Sequence, residues 1–408
     1  MSSAAVKRDV MQALEESVQR HSSQNPGAWH ALKAIGLPTN KTEEYKFTPV
    51  VRFLEKIEGL EFGATRTNAV SVTPLIPALA TNLLVIDQGR YNANLSSFVD
   101  PVKITVRPVS AMKGQQDSFE LLNLTLATEE IVIEIAPGSV IKNPIAIVHT
   151  SAGVTNTVFM PRIFFNISRE ASVTILDYAV GRTLLNNGYT HIGVAENAQV
   201  EFIQVQNQPD DIQLCHTHID LEANSHVNCF TCSFDGRLTR NNLTLSINGS
   251  GVDAHLYGLY LATGKSHIDN HTVVDHRMPN SYSNQLYKGI MDGQAKGVFN
   301  GKIFVRPDAQ KTNAFQSNRN IVLSEEASVN TKPQLEIWAD DVKCSHGCTT
   351  GQLDEEAMFY LQSRGIGKSQ ARALLLQAFA ADVLSSMRHK VIREYLEERI
   401  STRLHAGA

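Results

Sequence analysis

Cys344, His346 and Cys348 are the residues whose types and spacing most strongly suggest chemistry. They stand at alternating positions in the segment Cys-Ser-His-Gly-Cys. In an extended chain, alternating side chains project to the same side. Thiolate and imidazole are ligands that zinc and iron-sulfur chemistry use. The segment therefore predicts a metal or cluster site that is one ligand short of closure, and a purely structural junction is the alternative that composition alone favours.

A second cysteine pair, Cys229 and Cys232, has the spacing of a metal or redox site. It lies in a strand-like run, where residues three apart point to opposite faces. No further cysteine pair stands at the spacing of a zinc finger. We therefore interpret both cysteines as small buried hydrophobic residues rather than as ligands.

Two polar pairs share a strand face in the same way: His216 with His218, and His267 with Asp269. No carboxylate or cysteine cluster in the sequence completes a ligand set around them. We interpret them as surface or core polar pairs, with metal binding as the less favoured alternative.

The triplet Gly-Lys-Ser occurs twice, at 264–266 and 367–369. A phosphate-binding loop needs a further glycine five residues before the first residue of the triplet, where Leu259 and Gln362 stand instead. The sequence therefore predicts no ATP site in this chain.

The positions of these candidate residues depend on a long β-rich region. From about residue 102 to 343 the sequence shows β-branched alternation, and we find no segment of helical period in it. A strand, a short turn and an opening valine recur in six copies, with the valines at 140, 173, 200, 227, 252 and 329. A period near 27 residues without intervening helices is typical of a β-helix, whereas a β-sandwich is the alternative.

Helical patterns flank this region. Residues 4–21 and 26–36 predict two helices at the N-terminus, and segments from 354 to 404, including one with Ser369 as its N-cap, predict helices at the C-terminus. The prediction is a mainly β protein with four parts: an N-terminal helical region (1–60), a connector of uncertain structure (61–101), a β-helix core (102–346) and a C-terminal helical domain (347–408).

Composition excludes several classes of function. The formal net charge of −4 shows no excess of basic residues, so we expect neither nucleic-acid nor anionic-membrane binding. We find no apolar run that could span a membrane, and residues 1–20 lack the apolar region of a secretory signal. Five cysteines in 408 residues fit reduced thiols rather than a disulfide framework. We expect a cytoplasmic protein.

The sequence around the candidate site resembles the SufB/SufD family, the scaffold subunits of the Suf iron-sulfur cluster assembly machinery. The most specific stretch is Lys-Pro-Gln-Leu-Glu-Ile-Trp-Ala-Asp-Asp-Val-Lys-Cys-Ser-His-Gly at 332–347. Further similar segments span most of the chain, at 36–39, 43–48, 267–276, 288–289, 298–302, 309–316, 351–356 and 359–366. Cys-Ser-His-Gly at 344–347 is the SufD form, and 316–321 lacks the cysteine expected in SufB subunits.

This resemblance implies a right-handed parallel β-helix between two helical regions. It also implies a complex of a SufB-type subunit, this subunit and two copies of a SufC-type ATPase, each docked on a C-terminal helical domain. By the same resemblance, His346 acts with a cysteine of the SufB-type subunit on a nascent cluster, and Cys344 stands beside it. Cys348 stands where the family usually has alanine, so we interpret it as a bystander rather than as an extra ligand.

The functional expectation is a non-catalytic scaffold subunit that shares a transient iron-sulfur cluster with its SufB-type partner. The alternative is a purely structural partner that stabilises SufB and recruits SufC without supplying a ligand. A polysaccharide-cleaving β-helix enzyme would need a groove lined by carboxylates, and the repeats hold only scattered acids. Whether a flavin binds the complex, and whether the isolated chain forms a homodimer, stay open.

Overall fold

The computed structural model describes residues 9–21, 25–63, 71–100, 102–110, 117–181 and 184–406. The chain is mainly β, and its parallel strands coil into a β-helix of about eight turns. This confirms the predicted fold class, and the β-sandwich alternative is wrong. Among the described residues, no helix is both long and apolar enough to cross a membrane.

Two sheets form the β-helix, and successive strands alternate between them. The strands are β1 (Glu61–Phe62), β2 (Asn82–Asp87), β3 (Arg90–Tyr91), β4 (Lys103–Arg107), β5 (Glu130–Ile135), β6 (Ile145–Thr150), β7 (Thr157–Val158), β8 (Arg162–Ile167), β9 (Ser172–Val180), β10 (Leu185–Val194), β11 (Gln199–Gln206), β12 (Ile212–Leu221), β13 (His226–Ser233), β14 (Leu238–Ile247), β15 (Asp253–Ala262), β16 (His267–His276), β17 (Tyr282–Met291), β18 (Lys296–Val305), β19 (Asn313–Val322), β20 (Ser328–Ile337) and β21 (Lys343–Gly351). One sheet has the order β20-β18-β16-β14-β12-β10-β8-β5-β4, and the other has the order β21-β19-β17-β15-β13-β11-β9-β6-β2-β3.

The stacking of equivalent residues explains the sequence repeat. Val173, Val200 and Val227 occupy matching positions in neighbouring strands of one sheet, as the repeat predicts. Val329 lies in the other sheet, so the sixth copy of the repeat marks a different corner of the coil. Val140 is 66% exposed and does not join this ladder.

The interior is filled by ladders of branched apolar side chains. Ile192, Ile219, Leu245, Val274 and Ile303 stand in register on five successive strands, and all are fully buried. Each such side chain contributes about 1.5–3 kcal/mol by leaving water. Repetition of this ladder from coil to coil gives the long chain one continuous core.

The seven α-helices in the described ranges lie mostly near the two ends of the chain. They are α1 (Val10–His21), α2 (Pro26–Ile35), α3 (Val50–Leu54), α4 (Ser118–Leu126), α5 (Glu355–Ser363), α6 (Lys368–Leu384) and α7 (Lys390–Ala406). The predicted helix from Pro26 is confirmed, and the Asn25 side chain caps it. The prediction of Ser369 as an N-cap is wrong, because α6 begins at Lys368 and Gly367 is its cap.

Helix α4 corrects the prediction that no helical segment interrupts the β-rich region. The segment Leu-Asn-Leu-Thr-Leu at 122–126 alternates apolar and polar residues, which is a strand pattern. Two local signals override it: Asp117 caps the helix, and the Glu120 side chain accepts from the Asp117 backbone to close a capping box. Because every residue of α4 is buried, the helix shows no exposed face from which a helical period could be recognised.

Two sets of polar contacts join the C-terminal helices to the β-helix. The Lys288 ammonium on β17 donates to the Asp382 carboxylate at 2.5 Å and to the Phe379 carbonyl at 2.9 Å, both on α6. The Glu201 carboxylate on β11 accepts the backbone N–H groups of Arg388 and His389, just before α7. These polar contacts add to the apolar packing of α6 and α7 against the sheet.

The segment between α2 and α3 is joined to the β-helix through Arg240 on β14. Its guanidinium donates to the Asp269 carboxylate at 2.6 Å and to the Glu44 backbone carbonyl at 2.9 Å, and it stacks 4.0 Å from the Tyr45 ring centroid. Glu44 also binds Lys302 at 2.5 Å. The N-terminal segment therefore packs against the middle coils through charged groups that are largely removed from water.

Candidate functional site

The last coil of the β-helix leaves both sheets with an open edge. β20 ends one sheet and β21 ends the other, and no strand in the described part of the chain pairs with their outer sides. The last strand ends at Gly351, four residues before α5 begins, beyond the predicted boundary at 346. Unpaired edges of this length are unusual, because they invite pairing with another chain.

Backbone hydrogen bonds show which groups face that edge. Lys343 donates its N–H to Thr312 in the preceding coil, so the N–H groups of Cys344, His346 and Cys348 point outward. The three predicted residues therefore offer unpaired backbone donors along β21.

In β20 the odd-numbered residues have outward-pointing backbone groups. The backbone N–H groups of Ser328 and Trp338 donate to the preceding coil, so the N–H groups of the odd-numbered residues between them point to the open edge. Pro333 stands at one of these outward positions, where the missing N–H costs no hydrogen bond within the chain.

The side chains of Cys344, His346 and Cys348 share one face of β21, as the sequence predicted. Cys344 is half-buried against the core, and this burial raises the pKa of its thiol. The thiol must therefore lose a proton before it can bind a metal. His346 and Cys348 are exposed, and the described residues supply neither side chain with a hydrogen bond or an ion pair.

Alternate residues of a strand lie about 7 Å apart, too far for three of them to bind one ion. In the described ranges, no group of three or more His, Cys, Asp or Glu side chains could hold a metal ion. This face offers one free imidazole and two thiols, and any closed ligand set needs groups from a second molecule.

Gln316 lies next to the candidate site, and the sequence analysis used it only as part of a family segment. It stands opposite His346 on the adjacent strand β19, and it is 3% exposed. Both polar atoms of its side-chain amide are buried without a hydrogen-bond partner. A buried, unsatisfied amide needs an explanation, and its neighbour at the open end is His346. The sequence did contain a signal, a polar amide at a position that points into the β-helix. This signal can be recognised only when the strand register is known.

An aromatic cluster flanks the open end. Trp338 is 49% exposed, stacks on Phe304 at 6.2 Å between ring centroids, and lies 5.2 Å from the Arg306 guanidinium. Exposed aromatic and arginine side chains are enriched in protein interfaces.

The other candidate pairs have structural roles. Cys229 faces the interior of the β-helix and Cys232 faces the C-terminal helices, which confirms the prediction of opposite faces. Burial raises the pKa of the Cys232 thiol to about 12. His267 Nε2 shares a hydrogen bond of 3.0 Å with the Thr48 hydroxyl group in the N-terminal segment. Asp269 accepts from Arg240, the residue that joins this segment to the β-helix.

His216 and His218 do have a carboxylate partner, contrary to the sequence interpretation. Glu120 on α4 lies 2.5 Å from His218 Nε2 and 3.7 Å from His216 Nδ1. The sequence could not show this, because Glu120 is about 100 residues away and lies on a helix that was not predicted. Burial alone would raise the pKa of Glu120, but the hydrogen bond to His218 and the charge of His216 lower it to about 2.

This carboxylate predicts acid sensitivity. A pKa of about 2 in the folded state, against 4.5 ordinarily, means that Glu120 stabilises the fold above pH 4.5 and that this stability is lost as the pH falls towards 2. The free energy of unfolding that is lost over this pH range amounts to about 3 kcal/mol. We expect Glu120→Gln to flatten the decline of unfolding free energy over this range, measured by urea denaturation at several pH values. An unchanged slope in the variant would contradict the role of this carboxylate.

Comparison with known proteins identifies the family. Residues 148–379 match the model of the SufBD core domain of the SUF system for FeS cluster assembly. The chain belongs to the SufBD family. It is 32% identical to the iron-sulfur cluster assembly protein SufD of Escherichia coli, over 92% of each chain. It is 30% identical to an iron-sulfur cluster assembly SufBD family protein of Synechocystis, over 98% of this chain and 94% of that one. A SufBD family protein of Mycobacterium tuberculosis is 27% identical over 91% of each chain.

Membership of the SufBD family supports a role in iron-sulfur cluster assembly. The matched region includes the strands from β8 to β21, and with them Gln316 and His346. The open end of the β-helix thus lies inside the region that defines the SufBD family.

Proposed function

We propose that this chain is a SufD-type, non-enzymatic subunit of a cytoplasmic iron-sulfur cluster assembly scaffold. It pairs with a SufB-type subunit and, with that partner, holds a transient cluster that is the cargo of the complex. The observation that carries this proposal is the exposed imidazole of His346 on an unpaired edge strand. Cys344 lies two residues away on the same face of β21.

Partner binding follows from the backbone geometry of the last coil. Edge strands β20 and β21 are ten and nine residues long, and a second chain can add a strand to them and supply the missing hydrogen bonds, except at Pro333, which has no N–H to donate. Trp338 provides apolar area beside that edge. A SufB-type subunit bound here brings its own side chains next to His346, which supplies the ligands that this chain lacks.

A SufC-type ATPase docks on the C-terminal helical domain in this proposal. Helix α5 has no buried residue, and its Phe359 and Tyr360 side chains are 73% and 58% exposed. Exposed aromatic residues on one short helix are suited to an interface. ATP-driven movement of the ATPase subunits then acts on the cluster site through the helical domains.

The purely structural alternative has a specific observation in its favour. Cys344 packs against the core with a raised pKa, as a structural thiol does. In that reading the subunit stabilises its SufB-type partner and recruits the ATPase, while all cluster ligands come from the partner.

A pair of variants at Cys348 tests partner binding at the open edge. Cys348→Pro removes one outward N–H from β21, whereas Cys348→Ala removes the same thiol and keeps the N–H. We expect proline, but not alanine, to lower the amount of SufB-type subunit that co-purifies with the tagged chain by about fivefold or more, since a lost edge bond to a partner strand costs about 1 kcal/mol and the ring adds a clash. Equal co-purification of both variants would place the interface elsewhere. Sizing the chain alone shows whether the same edge joins two copies.

A further inference from the structure

A groove runs along one corner of the β-helix and reaches the turn before edge strand β20. Its volume is about 930 Å³, within the range of small-molecule sites. One wall is α3 with the residues around it, and the other wall is a stack of turns from five successive coils. The turns stack directly: the Gly236 carbonyl accepts from His267, and the Gly264 carbonyl accepts from Gln294. At the usual spacing of strands the turn wall is roughly 19 Å long.

Positive charge converges on this groove from both walls. Arg237, Lys265 and Lys296 come from the turns, and Arg52 and Lys56 come from the α3 side. None of these five side chains forms an ion pair with a described residue. Lys265 belongs to the Gly-Lys-Ser triplet at 264–266, which is no phosphate-binding loop but turns out to lie at a cationic surface.

Three carboxylates also line the groove, and two of them have partners. Asp235 pairs with Arg403 and accepts from the Thr263 and Ser266 hydroxyl groups. Glu326 accepts from Gln294 at 2.9 Å. Asp210 is exposed. The lining therefore carries five basic and three acidic side chains, an excess of two positive charges. Asp210 and Glu326 on the turn wall form no ion pair with a described residue, and no acidic side chain lines the α3 side.

The groove also offers apolar and aromatic surface on the α3 side. Phe47 is 39% exposed. Phe53 packs edge-on against His267, with 5.7 Å between ring centroids, and burial lowers the pKa of that histidine to about 4. His267 therefore contributes a neutral ring, not a further charge, at neutral pH.

We propose that this groove binds a small phosphorylated molecule that carries a flat ring. The phosphates bind Lys265, Lys296 and Arg237 on the turn wall, because ammonium and guanidinium groups without internal partners are available to phosphate oxygens. The ring contacts Phe47 and Phe53. This site is independent of the proposed scaffold function, since the residues that bind the phosphates and the ring differ from those proposed to bind the cluster and the partner.

Titration calorimetry of the purified full-length chain with three probes separates the contribution of the phosphates to binding from that of the ring. Adenosine diphosphate has both phosphate and ring, pyrophosphate has the charge alone, and adenosine has the ring alone. We expect the order of affinity to be adenosine diphosphate, pyrophosphate, adenosine, with the first two weakened by added salt.

The decisive variant is Lys265→Ala combined with Lys296→Ala. Both side chains are exposed, so the fold should persist. We expect at least a tenfold loss of affinity for adenosine diphosphate. The matched control, Lys41→Ala combined with Lys390→Ala, removes two exposed lysines outside the groove and should leave the affinity unchanged. Phe47→Ala should lower the affinity for adenosine diphosphate to that for pyrophosphate.

Failure of the wild-type chain to bind either phosphorylated probe at millimolar concentration would overturn the proposal. Equal weakening by the control pair would do so too, because it would show a general charge effect. Equal affinity of the wild type for adenosine diphosphate and pyrophosphate would contradict the proposal that the ligand carries a ring that contacts Phe47 and Phe53.

Discussion

Replacing His346 by alanine should abolish most cluster formation by the assembled complex without preventing assembly. The imidazole is exposed and has no partner among the described residues, so its removal should leave the fold intact. Losses in the second coordination shell already cost about 10–100-fold in metal affinity. Removing a direct ligand should therefore lower the yield or rate of cluster formation at least tenfold. The measurement is anaerobic reconstitution of the co-purified complex with iron and sulfide, followed by visible absorption.

The matched control is His30→Ala, the same substitution at an exposed histidine on α2. It should support cluster formation at the wild-type rate. If His346→Ala, in an intact complex, also formed clusters at that rate, the ligand role would be wrong and the purely structural alternative would stand. Cys344→Ala extends the test, because a ligand role predicts a loss of yield, whereas a packing role predicts a lower unfolding free energy at unchanged yield.

Replacing Arg240 by alanine should cause the largest loss of stability among the substitutions considered. Its guanidinium is 2% exposed and pairs with Asp269, which is fully buried. Burial alone would raise the pKa of Asp269, but His271 and Arg240 hold it well below its usual range. Removal of Arg240 breaks a buried ion pair and leaves His271 as the remaining charged partner of Asp269, and breaking such a pair costs about 3–5 kcal/mol. The contacts to Tyr45 and to the Glu44 carbonyl are lost at the same time.

Equilibrium denaturation of the isolated chain measures this effect. The control is Arg319→Ala on the exposed side of β19, where the change should remain within about 0.5 kcal/mol. Limited proteolysis adds a local readout, because cleavage between α2 and α3 should increase in the Arg240 variant if the N-terminal segment detaches. A loss below about 1 kcal/mol, with no new cleavage, would mean that the apolar contacts of the segment suffice to hold it.

The predictable part of this fold came from repetition. Stacked coils place equivalent residues in equivalent surroundings, so Val173, Val200 and Val227 recur at a spacing visible in the sequence. Helix α4 was not predicted, because a fully buried helix has no exposed polar face and the alternation within it resembles that of a strand. Local alternation and local capping gave opposite indications there, and the capping box together with burial decided the outcome.

The candidate site divides in a similar way. Alternation along one strand placed Cys344, His346 and Cys348 on the same face, and family resemblance singled out His346. That Gln316 stands beside His346 depends on the register of β19 and β21, which no local pattern specifies. The contact of Glu120 with His218 joins a helix and a strand 98 residues apart.

The sequence by itself determined the fold class, the strand faces and the ligand-type residues, because these depend on side-chain chemistry and on periods of a few residues or one coil. Tertiary structure alone decided which residues meet across coils, which charges find partners and which edges stay open. Those properties depend on how distant segments pack. A lysine next to a serine at 265–266 has the same appearance in any sequence. Only the stacked turns bring Lys265 and Lys296 to one groove, where neither forms an ion pair with a described residue.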